Sequence, residues 1–236
     1  MKGEIVKGLL YKDFKLARNA IIAVGIMQLI VSALMIVFSV MTKNGMGLYT
    51  PLLKCLSCYL VFYFAALANN DMFCKDERSV WRNFVISTPK TGRGQVRSKY
   101  IVIFTIEVCI LVVSVITNLI CNVIEKDKGL SVYLLFVLFF SIHIFKQATE
   151  LPFVFRFGND IGIKVKGFFT ALIIMCIALY GLYGDISMFL KDDFLNALMR
   201  FLDSHDVKWF ISVFGVVSGI SYLLSYFISV KLYRRS

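Results

Sequence analysis

The chain has 236 residues, of which 58% are hydrophobic and only 17% charged, whereas soluble domains carry about 25% charged residues. Several apolar runs approach the ~20 residues that span a bilayer, which excludes an ordinary soluble domain and predicts an all-α, polytopic membrane protein. The formal net charge of +11 lies between the apolar runs, which points to loops facing an anionic inner leaflet and away from nucleic acid.

Residues 2–18, KGEIVKGLLYKDFKLAR, predict a helix lying in the membrane surface. At about 100° per residue, Ile5, Val6, Leu9, Leu10, Phe14, Leu16 and Ala17 cover one half of its circumference. Lys7, Tyr11, Lys12, Lys15 and Arg18 cover the other half, the pattern of an interfacial helix. Asp13 falls inside the apolar arc, where a carboxylate either snorkels to water or finds a cation.

Six spans are expected after it, at residues 19–41, 50–68, 100–121, 130–148, 168–183 and 209–230. Between the second and third lies the stretch that stands out most, residues 70–99, with seven of the 26 basic residues. Within it Trp81, Phe84 and Val85 fall at i, i+3 and i+4 and share one face of a short amphipathic helix. Ser79 caps its start, Asp76 and Glu77 suit the positive end of its dipole, and Pro89 stops it. About 10 residues give ~15 Å of helix, too short to cross a membrane. Its apolar face must therefore rest on lipid headgroups, on the protein's own helices or on a partner.

Residues 150–167, ELPFVFRFGNDIGIKVKG, read as a second basic loop, and residues 185–208 as a polar, acidic loop on the other side. Six spans put both chain ends on one side. The segments on that side hold 19 Lys and Arg against six in the other loops, so the positive-inside rule predicts that both termini are cytoplasmic. The whole chain, 1–236, reads as one transmembrane domain, with no soluble domain, internal repeat, cleaved signal peptide or P-loop.

Some polar groups lie inside the spans. Glu107 sits about two turns into the third, where it either lines a path or gate or locks two helices through a paired or protonated carboxyl. His143, Lys146, Gln147 and Glu150, at i, i+3, i+4 and i+7, share one face of the fourth and must point at protein or water. They read as a structural network, with a proton relay through His143 as the alternative. Lys146 or an Arg of the central loop is a candidate partner for Asp13. Gly215 and Gly219 form a GxxxG face in the last span, either an internal packing seam or a dimer seam. No metal site is expected: the six cysteines are scattered, and Cys55 and Cys58 form a CxxC without a second pair or a nearby His.

Taken together, Lys12-Asp13-Phe14 near the N-terminus, then Asp76-Glu77, Trp81, Phe84, Ser87-Thr88-Pro89 and Ser98-Lys99-Tyr100, and finally Pro152 with Arg156-Phe157-Gly158 after the fourth span, form an ordered pattern. In these residues the chain resembles the small ABC-2-type permeases of bacterial ABC exporters. It is most similar to the short permeases of peptide exporters such as the phenol-soluble-modulin exporter. The resemblance covers nearly the whole chain and rests on the order of the motifs more than on any one of them. It implies a transport subunit in the bacterial plasma membrane, with ATP and Mg bound by a separate ATPase subunit and no cofactor in this chain. Residues 2–18 would be the interfacial elbow helix. Residues 77–87 would be the coupling helix seated in a groove of the ATPase, with Trp81 and Phe84 as anchors and Arg78 and Arg82 on its acidic rim. Arg156, Phe157 and Gly158 would make a second cytoplasmic contact, although Asn159-Asp160-Ile161-Gly162 departs from the commonest family pattern. Two copies, or this chain and a similar one, would enclose a path for an amphipathic or hydrophobic peptide. Three other readings stand beside this one: a self-immunity permease that expels antimicrobial peptides or small hydrophobic compounds, a non-transporting scaffold, and an intramembrane enzyme. The enzyme would need paired acids or a His-rich metal site at one depth, and the chain has two His in all.

Overall fold

The computed structural model describes residues 2–43, 57, 59–66, 69, 73, 91–125, 133–158, 161–165, 167–168, 170–172, 175, 179 and 204–233. Among these residues the structure is all-helical, with four long helices: α1 (Lys2–Lys43), α2 (Thr91–Glu125), α3 (Tyr133–Phe157) and α4 (His205–Tyr233). All four are long and apolar enough to cross a membrane. An α-helix satisfies its own backbone hydrogen bonds, which lipid cannot do for it. The expected second and fifth spans lie mostly outside the described residues, although residues 59–66 are helical and bury Val61, Phe62 and Ala65.

Residues 2–18 are not a separate element. They form the first part of α1, which runs unbroken for 42 residues, or ~63 Å, about twice the ~30 Å hydrocarbon core. The change from amphipathic to apolar sequence at Arg18 alters what the helix faces, not its backbone. No Gly or Pro lies between Gly8 and Gly25 to end it. Similarly, α2 begins at Thr91, inside the stretch read as a loop, and continues for 35 residues, or ~52 Å.

The second basic loop is corrected in the same way. Residues 150–157 are the last two turns of α3, and Pro152 lies inside that helix. Proline removes one N–H from the ladder, which membrane helices tolerate where neighbours cover the gap. The helix ends instead at Gly158, with φ 92° and its N–H bonded to the Val154 carbonyl at 3.0 Å, the left-handed cap that glycine favours. Residues 161–165 are helical again, as are further described residues up to 179. A Cβ on Gly162 would come 2.2 Å from Val154 Cγ2, so only glycine fits this close approach. At the start of α4, Ser204 is the N-cap: its Oγ accepts from Val207 N at 3.4 Å, and Asp206 sits in the first turn, favourable at the positive end of the dipole.

Interhelical contacts give the directions. Gln28 Nε2 donates to Ser114 Oγ at 3.2 Å, Thr117 Oγ1 lies 3.0 Å from Ser32 Oγ, and Asp13 meets Ser98, so α1 and α2 run parallel. The Phe145 ring lies 6.0 Å from that of Phe214, and the Phe155 ring 5.9 Å from that of Tyr233, so α3 and α4 are parallel too. Tyr100 meets Ser225 and Ser229, and Tyr233 meets Gln95, which makes α2 antiparallel to α4. The first ends of α1 and α2 and the last ends of α3 and α4 therefore gather at one face.

The tightest pairings are α3 with α4 and α1 with α2, and contacts of α2 with α3 and α4 join the two pairs. The buried stripe of α1 is narrow: Asp13, Ala17, Val24, Gln28, Val31, Met35 and Ser39, in steps of three, four or seven. Its opposite side exposes Ile22, Ile26, Leu29, Ile30, Leu34 and Val37, which suits a face against lipid or another membrane helix.

Candidate functional site

The candidate site begins where α1 and α2 gather. The Ser98 hydroxyl donates to Asp13 Oδ2 at 2.5 Å, and Lys12 Nζ stands 3.6 Å from Asp13 Oδ1. Asp13 is fully buried. A carboxylate withdrawn from water needs a cation and hydrogen bonds to compensate. The apolar arc of the sequence thus carries its charge inward, onto α2, with a cation from its own helix beside it. One turn further out, a Cβ on Gly94 would lie 3.0 Å from Leu9 Cδ1, so the two helices touch closely here as well. Phe14 and Lys15 are exposed. Lys99, the next residue but one after Arg97, is buried with its ammonium 4.5 Å above the Phe73 ring, a cation–π geometry.

Deeper, Glu107 is fully buried and Asn69 Nδ2 approaches its Oε1 at 3.4 Å. On α3, His143, Gln147 and Glu150 are buried and Lys146 is half-buried, so the i, i+3, i+4, i+7 stripe does face protein. The His143 ring lies 5.6 Å from that of Phe62. Arg156 and Phe157 are exposed at the α3 terminus, with the guanidinium 5.2 Å from the Phe157 ring centre, and Gly158 caps them.

The two glycines of the GxxxG face part company. A Cβ on Gly215 would meet Ser141 Oγ at 3.4 Å, so Gly215 lets α3 and α4 approach. A Cβ on Gly219 would meet nothing within 4 Å. The seam of α4 is instead Gly215, Ser218, Tyr222, Ser225 and Ser229, in alternating steps of three and four; all but Gly215 are buried. Tyr100 is clamped against this seam. Its hydroxyl lies 2.7 Å from Ser225 Oγ and 2.8 Å from Ser229 Oγ, and the Tyr222 hydroxyl donates to the Tyr100 carbonyl at 2.8 Å. The Phe155, Tyr222 and Tyr226 rings surround it. Sequence reasoning marked Tyr100 only as part of a motif and missed its serine partners. The usable signal was the 3–4 spacing of small and hydroxyl residues around Tyr222.

Asp76, Glu77, Arg78, Trp81, Arg82, Phe84 and Pro89 lie outside the described residues, as does most of the expected acidic loop at 185–208.

The arrangement is thus a helical membrane bundle, polar contacts stitching its helices together, with two helices reaching past the hydrocarbon at one face. Against known families, residues 8–234 match the model described as ABC-2 family transporter protein. The chain belongs to the ABC-2 transporter family. The match takes in all but the outermost residues of the four long helices, including the Asp13 arm. No curated protein and no solved structure matches the chain. As a member of the ABC-2 family it is the membrane permease subunit of an ABC transporter, a multi-pass transport subunit that works with an ABC ATPase.

Proposed function

We propose that this permease subunit exports amphipathic or hydrophobic peptides, driven by ATP and Mg bound on its separate ATPase partner. The observation that supports ATP-driven movement of this subunit is the continuity of α2, while the peptide cargo rests on the resemblance to short peptide-exporter permeases. The helix starts at Thr91, two residues beyond Pro89, and runs unbroken to Glu125. A push on the preceding segment therefore displaces a membrane helix as a rod. On this reading residues 77–87 dock on the ATPase through Trp81 and Phe84, flanked by Asp76, Glu77, Arg78 and Arg82. Aromatic anchors with an arginine rim are what a stable interface needs. Asp13 and Ser98 couple α1 to the same rod, and exposed Arg156 and Phe157 at the capped end of α3 make the second contact. The face where α1 and α2 begin carries Lys12, Lys15, Arg18, Arg93, Arg97 and Arg156, which supports its being cytoplasmic, with both termini there. Two such subunits enclose the path. ATP binding biases the pair between inward-open and outward-open states, and only a differential affinity of the ATPase for the two states can do so.

The test is reconstitution with the cognate ATPase in vesicles, ATPase sites outward, and a fluorescent amphipathic peptide added outside. Peptide accumulates in the lumen only with hydrolysable ATP and Mg. A complex that hydrolyses ATP normally yet moves no peptide of this kind overturns the cargo assignment and leaves the permease assignment standing.

A further inference from the structure

A groove of about 780 Å³ opens on the side of the bundle between α2 and α4, with Ile144 of α3 in its floor. Arg97 stands at one end, and Phe104, Gly219, Ile220 and Leu223 line its length. Its walls are apolar for definite reasons. Tyr100 and Tyr222 present rings to it while their hydroxyls bond to Ser225, Ser229 and the Tyr100 carbonyl. Thr105 turns its hydroxyl back to the Ile101 carbonyl at 2.7 Å. Among the described residues, no carboxylate lines the groove.

We infer that this groove holds one anionic phospholipid of the leaflet at the α1–α2 starting face, its phosphate on Arg97 and an acyl chain along Phe104, Ile220 and Leu223.

Depth, charge and length agree with that occupant. The apolar run of α2 begins at Tyr100, so Arg97, about one turn earlier, stands at headgroup level. Arg97 is exposed and has no ion-pair partner among the described residues. Arg93, four residues back on the same helix face, is exposed too and adds to the positive potential. From Arg97 to Thr105 along α2 is ~12 Å, and from Gly215 to Tyr226 along α4 is ~16 Å. That is about half of a ~30 Å hydrocarbon core, the depth of one leaflet. The groove thus offers a cation where a lipid carries its phosphate and an apolar trough for the length of an acyl chain. Gly219 keeps the trough open, since a side chain there would stand in the groove and touch no neighbour.

The experiment is native mass spectrometry of the full-length protein, equilibrated in micelles with equal amounts of phosphatidylglycerol and phosphatidylcholine of identical chains. Wild type retains one tightly held lipid, with phosphatidylglycerol favoured. R97Q lowers that preference about fivefold, the effect of one basic side chain near anionic lipid, and R97K keeps it. G219L loses the tightly held lipid of either headgroup while eluting as a folded protein. Unchanged preference in R97Q, or wild-type retention in G219L, overturns the inference. In native membranes a photoreactive residue in place of Leu223 crosslinks to lipid; crosslinking to a second copy of the chain or to a peptide overturns it as well. R97Q settles the matter without G219L if that variant fails to fold.

Discussion

Replacing Ser98 by Ala removes the hydroxyl that donates to Asp13 at 2.5 Å. Asp13 is fully buried, so water cannot replace the lost donor. Hydrogen bonds to charged groups contribute about 1.5–3 kcal/mol each. Lys12 at 3.6 Å remains, which keeps the loss near the middle of that range, about 2 kcal/mol. For a chain of this size each kcal/mol is worth about 2–4 °C, so the melting temperature in detergent drops by about 4–8 °C. Asp13→Ala costs at least as much, because it also leaves Lys12, 23% exposed, beside an apolar helix contact. The double variant costs little more than Asp13→Ala alone, since the two residues share one interaction. Ser98→Thr, which keeps the hydroxyl, recovers most of the loss. The assay is intrinsic-fluorescence melting of purified protein, with ATPase coupling measured in parallel. A Ser98→Ala protein that melts with wild type, or single effects that simply add, would refute the account of α1 and α2 as one joined arm.

Other outcomes follow from the geometry. Gly162→Ala drives a methyl to 2.2 Å from Val154 Cγ2 and destabilises by about 1–3 kcal/mol; Val154→Ala restores part of this in the double variant, and melting of the four proteins reads the coupling. Gly215→Leu separates α3 from α4 at Ser141 and lowers the melting temperature by several degrees, whereas Gly219→Leu leaves it near wild type; equal losses would show that both glycines pack against a neighbour. Tyr100→Phe frees Ser225 and Ser229 to bond their own helix, so it costs only about 1 kcal/mol, in the range of interhelical hydrogen bonds within membranes, and a loss of several times that would show that the serines have no such alternative.

The sequence carried the membrane class and much of the helix content because hydropathy and periodicity are local. His143, Gln147 and Glu150 could be placed on one inward face from spacing alone, and Asp13 could be marked as an intruder in an apolar arc. Helix ends were harder. Arg18 and Lys99 mark where the sequence turns polar, and the helices pass through both, because hydropathy reports the medium while caps and breakers set the backbone. Pro152 suggested a loop and sits inside a helix, while Gly158, in the same motif, is the true stop. The Tyr100 clamp was hidden for a different reason: its partners lie 125 and 129 residues away, and a single sequence does not pair helices at that range. The four-residue spacing of Gly215 and Gly219 marked a helix face without saying which neighbour lies against it: among the described residues Gly215 packs on α3, and Gly219 faces none.

On this account an ATPase acts on the permease through residues 77–87, which precede α2 in the chain. The most direct measurement is capture from native membranes in mild detergent, wild type beside Trp81→Ala/Phe84→Ala, with bound proteins identified by mass spectrometry. The account predicts a P-loop ATPase captured by wild type and lost from the double variant, with both permeases equally folded. Equal capture of the ATPase by the two would contradict the coupling role of Trp81 and Phe84, and no ATPase with either would contradict the account as a whole.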